Sequence, residues 1–98
     1  MIVGVARVTL ALPAAQSLKD KRSVVKSLLA RLQNRFNVSA AEVAAQDTWG
    51  TAVIGITCTS TSAGHADEML AGVLRFVETN GAEYYVTDVQ TETITALT

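Results

Sequence analysis

Six basic side chains, Lys19, Lys21, Arg22, Lys26, Arg31 and Arg35, fall within the short stretch from Ser17 to Phe36. Ammonium and guanidinium groups at this density attract anions. The run Ser17-Leu18-Lys19-Asp20-Lys21-Arg22 adds the free amide groups of a helix start, which hydrogen-bond phosphate oxygens. Lys19, Lys21, Arg22 and Lys26 are therefore the candidate nucleic-acid- or anion-binding residues. The plainer alternative is a solvated flank of an amphipathic helix with an ordinary N-cap. The whole chain weighs against that alternative, because its charge is sorted. Residues 1–36 carry a net +6 and residues 37–98 a net −7, hidden within a formal charge of −1. Such sorting exceeds what one wet helix face requires and suggests a surface that meets something anionic. Arg31 and Arg35 need less explanation, since cations suit a helix C-terminus.

Other reactive residue types stand alone. A catalytic His65 would need a nucleophile, and a metal-binding His65 would need further ligands; the sequence offers neither, so packing or capping at a helix start is the expected role. Cys58 alternates with core positions and reads as a small buried hydrophobe. A single cysteine excludes an internal disulfide and a Cys-built zinc or iron–sulfur site. The six glycines form no phosphate-cradling loop, and no carboxylate pair is placed for acid–base work. Asp67 and Glu68 read as helix-dipole compensation. No catalytic residue, metal site or cofactor is expected. Trp49 is expected to plug the end of a sheet, the alternative being a partner anchor.

Ninety-eight residues with 49% hydrophobic and 17% charged content make one globular domain, 1–98, able to bury a core without staples. No apolar run approaches a membrane span. The opening Met1-Ile2-Val3-Gly4-Val5 lacks the basic region of a signal peptide, so a cytoplasmic location is expected.

The elements that carry these residues are legible from hydrophobic period. From Ile2 to Leu12, the residues Ile2, Ala6, Val8, Leu10 and Leu12 share one face and Val3, Val5, Arg7 and Thr9 the other, as in a half-buried strand. Pro13 ends it. Ser17 offers an N-cap, with Asp20 three residues on as in a capping box. Leu18, Val25, Leu28, Leu29, Leu32 and Phe36 then form a helical apolar arc, flanked by a ridge of Lys19, Arg22 and Lys26. Lys21 projects nearly with the arc; from the first turn its stem can follow the core while its ammonium stays in water. Val38–Ala45 and Thr51–Ser60 read as a strand pair around Gln46-Asp47-Thr48-Trp49-Gly50. Ser60-Thr61-Ser62 caps a second helix with the stripe Ala66, Met69, Leu70, Val73, Leu74 and Val77, stopped by Asn80-Gly81. Glu83–Ile94 is a final strand, with Asp88, Gln90 and Glu92 on the solvent face. One ring of Tyr84-Tyr85 should be core and the other exposed. The order βαββαβ specifies an α+β, ferredoxin-like sandwich: a four-stranded antiparallel sheet with two helices on one face.

The segments MIVGVARVTL, SLKDKRSVVKSLLARLQNRFNVS, AEVAAQDTWG and HADEMLAGVLRFVE together resemble the YlxP-like proteins, small bacterial proteins of unknown function. The resemblance spans most of the chain. It implies the ferredoxin-like fold and, because such proteins are often encoded beside translation initiation and ribosome maturation factors, a role near RNA or the ribosome. It carries no catalytic residues. One departure is the last strand, where Thr87, Thr91 and Thr93 replace more apolar residues.

Two functional readings lead. The first is a non-catalytic accessory protein that touches ribosomal or other structured RNA through its basic first helix. The second is a homo-oligomeric interaction or regulatory module, a homodimer for example, that pairs through the open sheet face bearing Val3, Val5 and Val53. Base stacking on the central strands is excluded, since their exposed faces hold no aromatic residue. A phosphatase-like enzyme on this fold is disfavoured because the loop Pro13–Ser17 lacks the glycine and arginine of a phosphate cradle.

Overall fold

Alternation of apolar and polar residues sets four strands, and two amphipathic stretches between them set the helices. A computed structural model describes residues 1–98, with β1 at Ile2–Ala11, α1 at Leu18–Arg35, β2 at Ser39–Ala44, β3 at Thr51–Ser60, α2 at Ala63–Thr79 and β4 at Tyr85–Thr95. The sheet order is β2-β3-β1-β4 with every pairing antiparallel. This is the ferredoxin-like arrangement expected from the element order. No helix is long and apolar enough to cross a membrane.

Both helices cover one face of the sheet. Ala6, Val8, Leu10 and Leu12 from the first strand region meet Ala52, Ile54, Ile56 and Cys58 from β3 in one core with Val25, Leu28 and Leu32 of α1 and Ala66, Leu70, Val73 and Val77 of α2. The core faces read from period two and period 3.6 are therefore the observed ones. Phe36 lies at the margin, half-buried, with its ring edge-on to Phe76. Gly4 marks the tightest approach of α2 to the sheet. A Cβ there would sit 2.9 Å from Cys58 Sγ and 3.1 Å from Leu70 Cδ1.

The helix starts follow their capping residues. Ser17 Oγ accepts from Asp20 N at 3.0 Å. Asp20 Oδ2 accepts from Gln16 N, one residue before the expected capping-box partner. Ser62 Oγ accepts from His65 N, and the His65 ring Nδ1 lies 2.9 Å from Ser60 Oγ, so His65 braces the entry to α2. Cys58 is buried, with Sγ 4.0 Å from Ala66 O.

The last strand resolves its own register with a bulge. Leu10 pairs with Val86 but Thr9 pairs with Asp88, leaving Thr87 as the extra residue. The offset brings both Val86 and Val89 to the core side, although they are three residues apart. Beyond it, Asp88, Gln90 and Glu92 oppose Thr9, Arg7 and Val5 on the open face, as expected.

Tyr84 and Tyr85 part as their adjacency requires. Tyr85 is exposed and Tyr84 is buried, with its hydroxyl donating to Val77 O at 2.7 Å. The Tyr84 ring lies flat over Gly81, where a Cβ would come within 2.5 Å of it. Burial pushes the Tyr84 phenol above its ordinary 10.0, against the opposing pull of the Arg31 guanidinium. The folded state therefore holds this proton when the unfolded chain has begun to release it. The contribution is whole below about pH 10 and is lost as pH rises through the folded value. Tyr84→Phe should lose about 1 kcal/mol at neutral pH, the usual net value of one hydrogen bond. Its stability should then decline less steeply than wild type as pH rises above about 10. Parallel urea midpoints across that range would check both parts, and identical slopes would remove Tyr84 as the titrating group.

Candidate nucleic-acid interface

The helix that carries the basic residues is positioned by what it buries. Val25, Leu28 and Leu32 press α1 onto the sheet, which turns Lys19, Arg22 and Lys26 outward at i, i+3 and i+7. All three are exposed, and none takes part in an ion pair or side-chain hydrogen bond. Gln33, seven residues past Lys26 on the same flank, donates its amide to Ala40 O of β2 at 3.0 Å. The ridge therefore runs along the β2 side of the molecule. At the opposite sheet edge, β4 carries Asp88 and Glu92, and Thr93 donates to Asp67 of α2 at 2.6 Å. Asp67, Asp88 and Glu92 thus lie at the β4 edge, away from the ridge, while Asp20 and Asp47 stay near its head.

Lys21 corrects the expectation that its ammonium stays in water. The side chain is fully buried. Its Nζ donates to Ala45 O at 2.6 Å, Thr51 O at 3.2 Å and Gln46 O at 3.3 Å, and lies 2.9 Å from Glu42 Oε2. An ammonium enclosed by three carbonyls and a carboxylate has no capacity left for an external phosphate, so Lys21 leaves the candidate set. Glu42 Oε2 is buried and takes no well-aligned hydrogen bond, so its compensation is the charge of Lys21. The chain is compatible with the pair without deciding it. Lys21 falls on the apolar arc, and Glu42 has the same strand parity as core-facing Ala40. Opposite charges on two core-facing positions of neighbouring elements are each other's natural partners.

That pair shapes the β2–β3 connection. Val43 is the extra residue of a bulge between Glu42 and Ala44, and Ala45 adopts a left-handed φ of 59°. Ala45 O also accepts from Thr48 N, and Gly50 O accepts from Leu12 N, both at 3.0 Å. The turn 45–51 is thus held from α1, from within and from the end of β1. Trp49 at its tip is 52% exposed, so it does not plug the end of the sheet as expected. The turn is pinned through its backbone, at the carbonyls of Ala45, Gln46, Gly50 and Thr51, and not through the indole, which is left half-exposed.

Arg31 and Arg35 are occupied. Arg31 donates to Asn80 O at the C-terminus of α2 and to Ser27 O, and both guanidinium groups lie over the Phe76 ring, at 6.0 and 5.2 Å from its centroid. Arg35 stands in the last turn of α1, as expected, whereas Arg31 serves the C-terminus of α2 rather than that of its own helix.

Val3, Val5 and Val53 lie on the open sheet face, each partly exposed. Val43 shields Gly55 beside them. A polar row crosses the same face, where Arg7 donates to Gln90 of β4. No group of three or more histidine, cysteine or carboxylate side chains is arranged to hold a metal ion.

Comparison with known proteins gives a concordant picture. The family model described as "Protein of unknown function (DUF503)" matches residues 3–91. The "Uncharacterized protein YlxP" of Bacillus subtilis (strain 168) is 45% identical over 64 residues, covering 65% of this chain and 70% of that protein. Among solved structures, the de novo designed protein Foldit4 superposes with a TM-score of 0.53 at 13% identity, covering 99% of this chain and 100% of its own. The de novo designed protein LFR1 1, described as having a ferredoxin fold, gives a TM-score of 0.51 at 13% identity, covering 100% of this chain and 88% of its own. Identity at that level speaks to the fold alone.

Proposed function

We propose, from the premise that this chain belongs to the DUF503 family of proteins of unknown function, that it is a non-catalytic accessory protein of the cytoplasm that contacts structured RNA through α1. The contact is made by Lys19, Arg22 and Lys26. The observation that carries this reading is their unpaired state: three cations on one exposed flank with no internal acceptor, on a side of the fold from which the β4 acids are absent. Such a ridge neutralises phosphates by charge density. Ribosomal RNA fits the translation-associated setting that the family resemblance implies. The reading favours duplex backbone over sequence readout, because cations spaced along an exposed helix flank, with no aromatic among them, meet phosphates rather than base faces.

Binding to an RNA hairpin, followed by filter retention across a salt series, tests the reading. Affinity should fall steeply with salt. Replacing Lys19, Arg22 and Lys26 with Gln should flatten the log–log slope by roughly two to three units, because each neutralised phosphate contributes nearly one. The fold should survive, since all three side chains are exposed. Equal binding by wild type and the triple variant, or no binding by either at low salt, would exclude RNA contact through the ridge.

A further inference from the structure

We infer that Trp49 is a stacking platform for an unpaired nucleobase lying next to the RNA backbone gripped by α1; the inference rests on the ridge reading and adds a second, chemically different contact to it. Three observations converge on Trp49. Its indole is half-exposed, and it is the only tryptophan in the chain. The turn that presents it is tightly held. Lys21 reaches Ala45 O, Gln46 O and Thr51 O, Thr48 N bonds Ala45 O, and Leu12 N bonds Gly50 O. Ala45 bears a left-handed backbone that an L-alanine adopts only at a cost. A buried ammonium, a bulge and a left-handed alanine all serve to hold a surface turn in one shape. Fixing an exposed aromatic in this way removes the ordering cost that a mobile loop would incur on binding.

The place of the turn selects its ligand. Lys21, which ties the turn to α1, belongs to the same helical turn as Lys19 and Arg22, so the turn that carries Trp49 and the head of the basic ridge lie at the same end of α1. Cations that follow a phosphate backbone beside an aromatic that stacks bases form the general design of single-strand recognition, in which any base offers its π-face. Asp47 in the turn repels phosphate at its own position. The turn therefore suits the base side of a nucleotide, and the helix suits the backbone side. The fitted RNA is a duplex with an adjoining unpaired nucleotide, such as a tail or bulge.

Because Trp49 is the sole tryptophan, its fluorescence reports the contact directly. The full chain is titrated with a blunt RNA hairpin and with the same hairpin carrying a single-stranded 3′ tail. The tailed RNA should bind roughly tenfold more tightly and quench the indole, the blunt RNA should leave the emission nearly unchanged, and Trp49→Ala should erase the preference between the two. Circular dichroism melts of Trp49→Ala confirm folding, and Trp49→Phe, which keeps a smaller ring, should retain part of the preference. Ridge-dependent binding with equal affinities and unchanged emission would overturn the stacking role while leaving the ridge reading intact. Quenching by tailed RNA that survives the Lys19/Arg22/Lys26→Gln replacements undiminished would do the reverse. Emission insensitive to either RNA but shifting with protein concentration would assign the indole to a second copy of the chain and overturn the inference.

Discussion

Lys21→Met should destabilise the fold by about 3–5 kcal/mol, the usual consequence of removing one partner from a buried ion pair. Methionine keeps most of the stem and its packing, so the loss isolates the ammonium. Without it, Glu42 retains a carboxylate oxygen that is buried and has no other compensation, and three carbonyls of the β2–β3 turn lose a charged donor. Against a total stability of about 5–15 kcal/mol for a domain of this kind, the change is large. Adding Glu42→Gln should recover part of the loss, because a neutral amide costs less to bury than an unpaired carboxylate. Urea midpoints of the two single variants and the double variant give the coupling directly. Strictly additive effects would mean that the two side chains do not interact. The same variant should loosen the turn, so Trp49 emission should move toward that of the unfolded chain before global unfolding.

Leu32→Ala should cost about 2–5 kcal/mol, the range for a buried leucine whose surroundings cannot collapse into the space. Leu32 is completely buried where α1 meets the sheet, in one core with Val8, Leu10, Ile54 and Ile56. Strand side chains on a hydrogen-bonded sheet have little freedom to close a cavity, which favours the upper part of that range. For a domain of this size each kcal/mol lowers the melting temperature by roughly 4–8 °C, so calorimetry resolves the effect easily. An unchanged midpoint would remove α1 from the core and, with it, the reason that Lys19, Arg22 and Lys26 face outward.

How the chain divides between what is local and what is not is visible in particular residues. Val8 and Leu10, Val25 and Leu28, Ile54 and Ile56, Val73 and Val77 declare their faces by period alone, because a strand repeats every two residues and a helix every 3.6. Ser17 and Ser62 declare the helix starts, since a side-chain oxygen is needed where backbone amides lack partners. From these follow the element order, the ferredoxin-like sheet and the outward turn of the ridge. Three features required the assembled structure. The bulge at Thr87 that brings both Val86 and Val89 inward depends on how β4 meets β1, not on β4 itself. The exposure of Trp49 depends on a turn that Lys21 and Leu12 pin through its backbone carbonyls. The fate of Lys21 depends on Glu42 and the carbonyls of Ala45, Gln46 and Thr51, which lie more than twenty positions away along the chain. A lysine at the head of an apolar arc is equally consistent with water and with burial. Only the tertiary structure decided between them, because the solvation of a charge is set by the groups that surround it in space, and its neighbours in sequence do not name them.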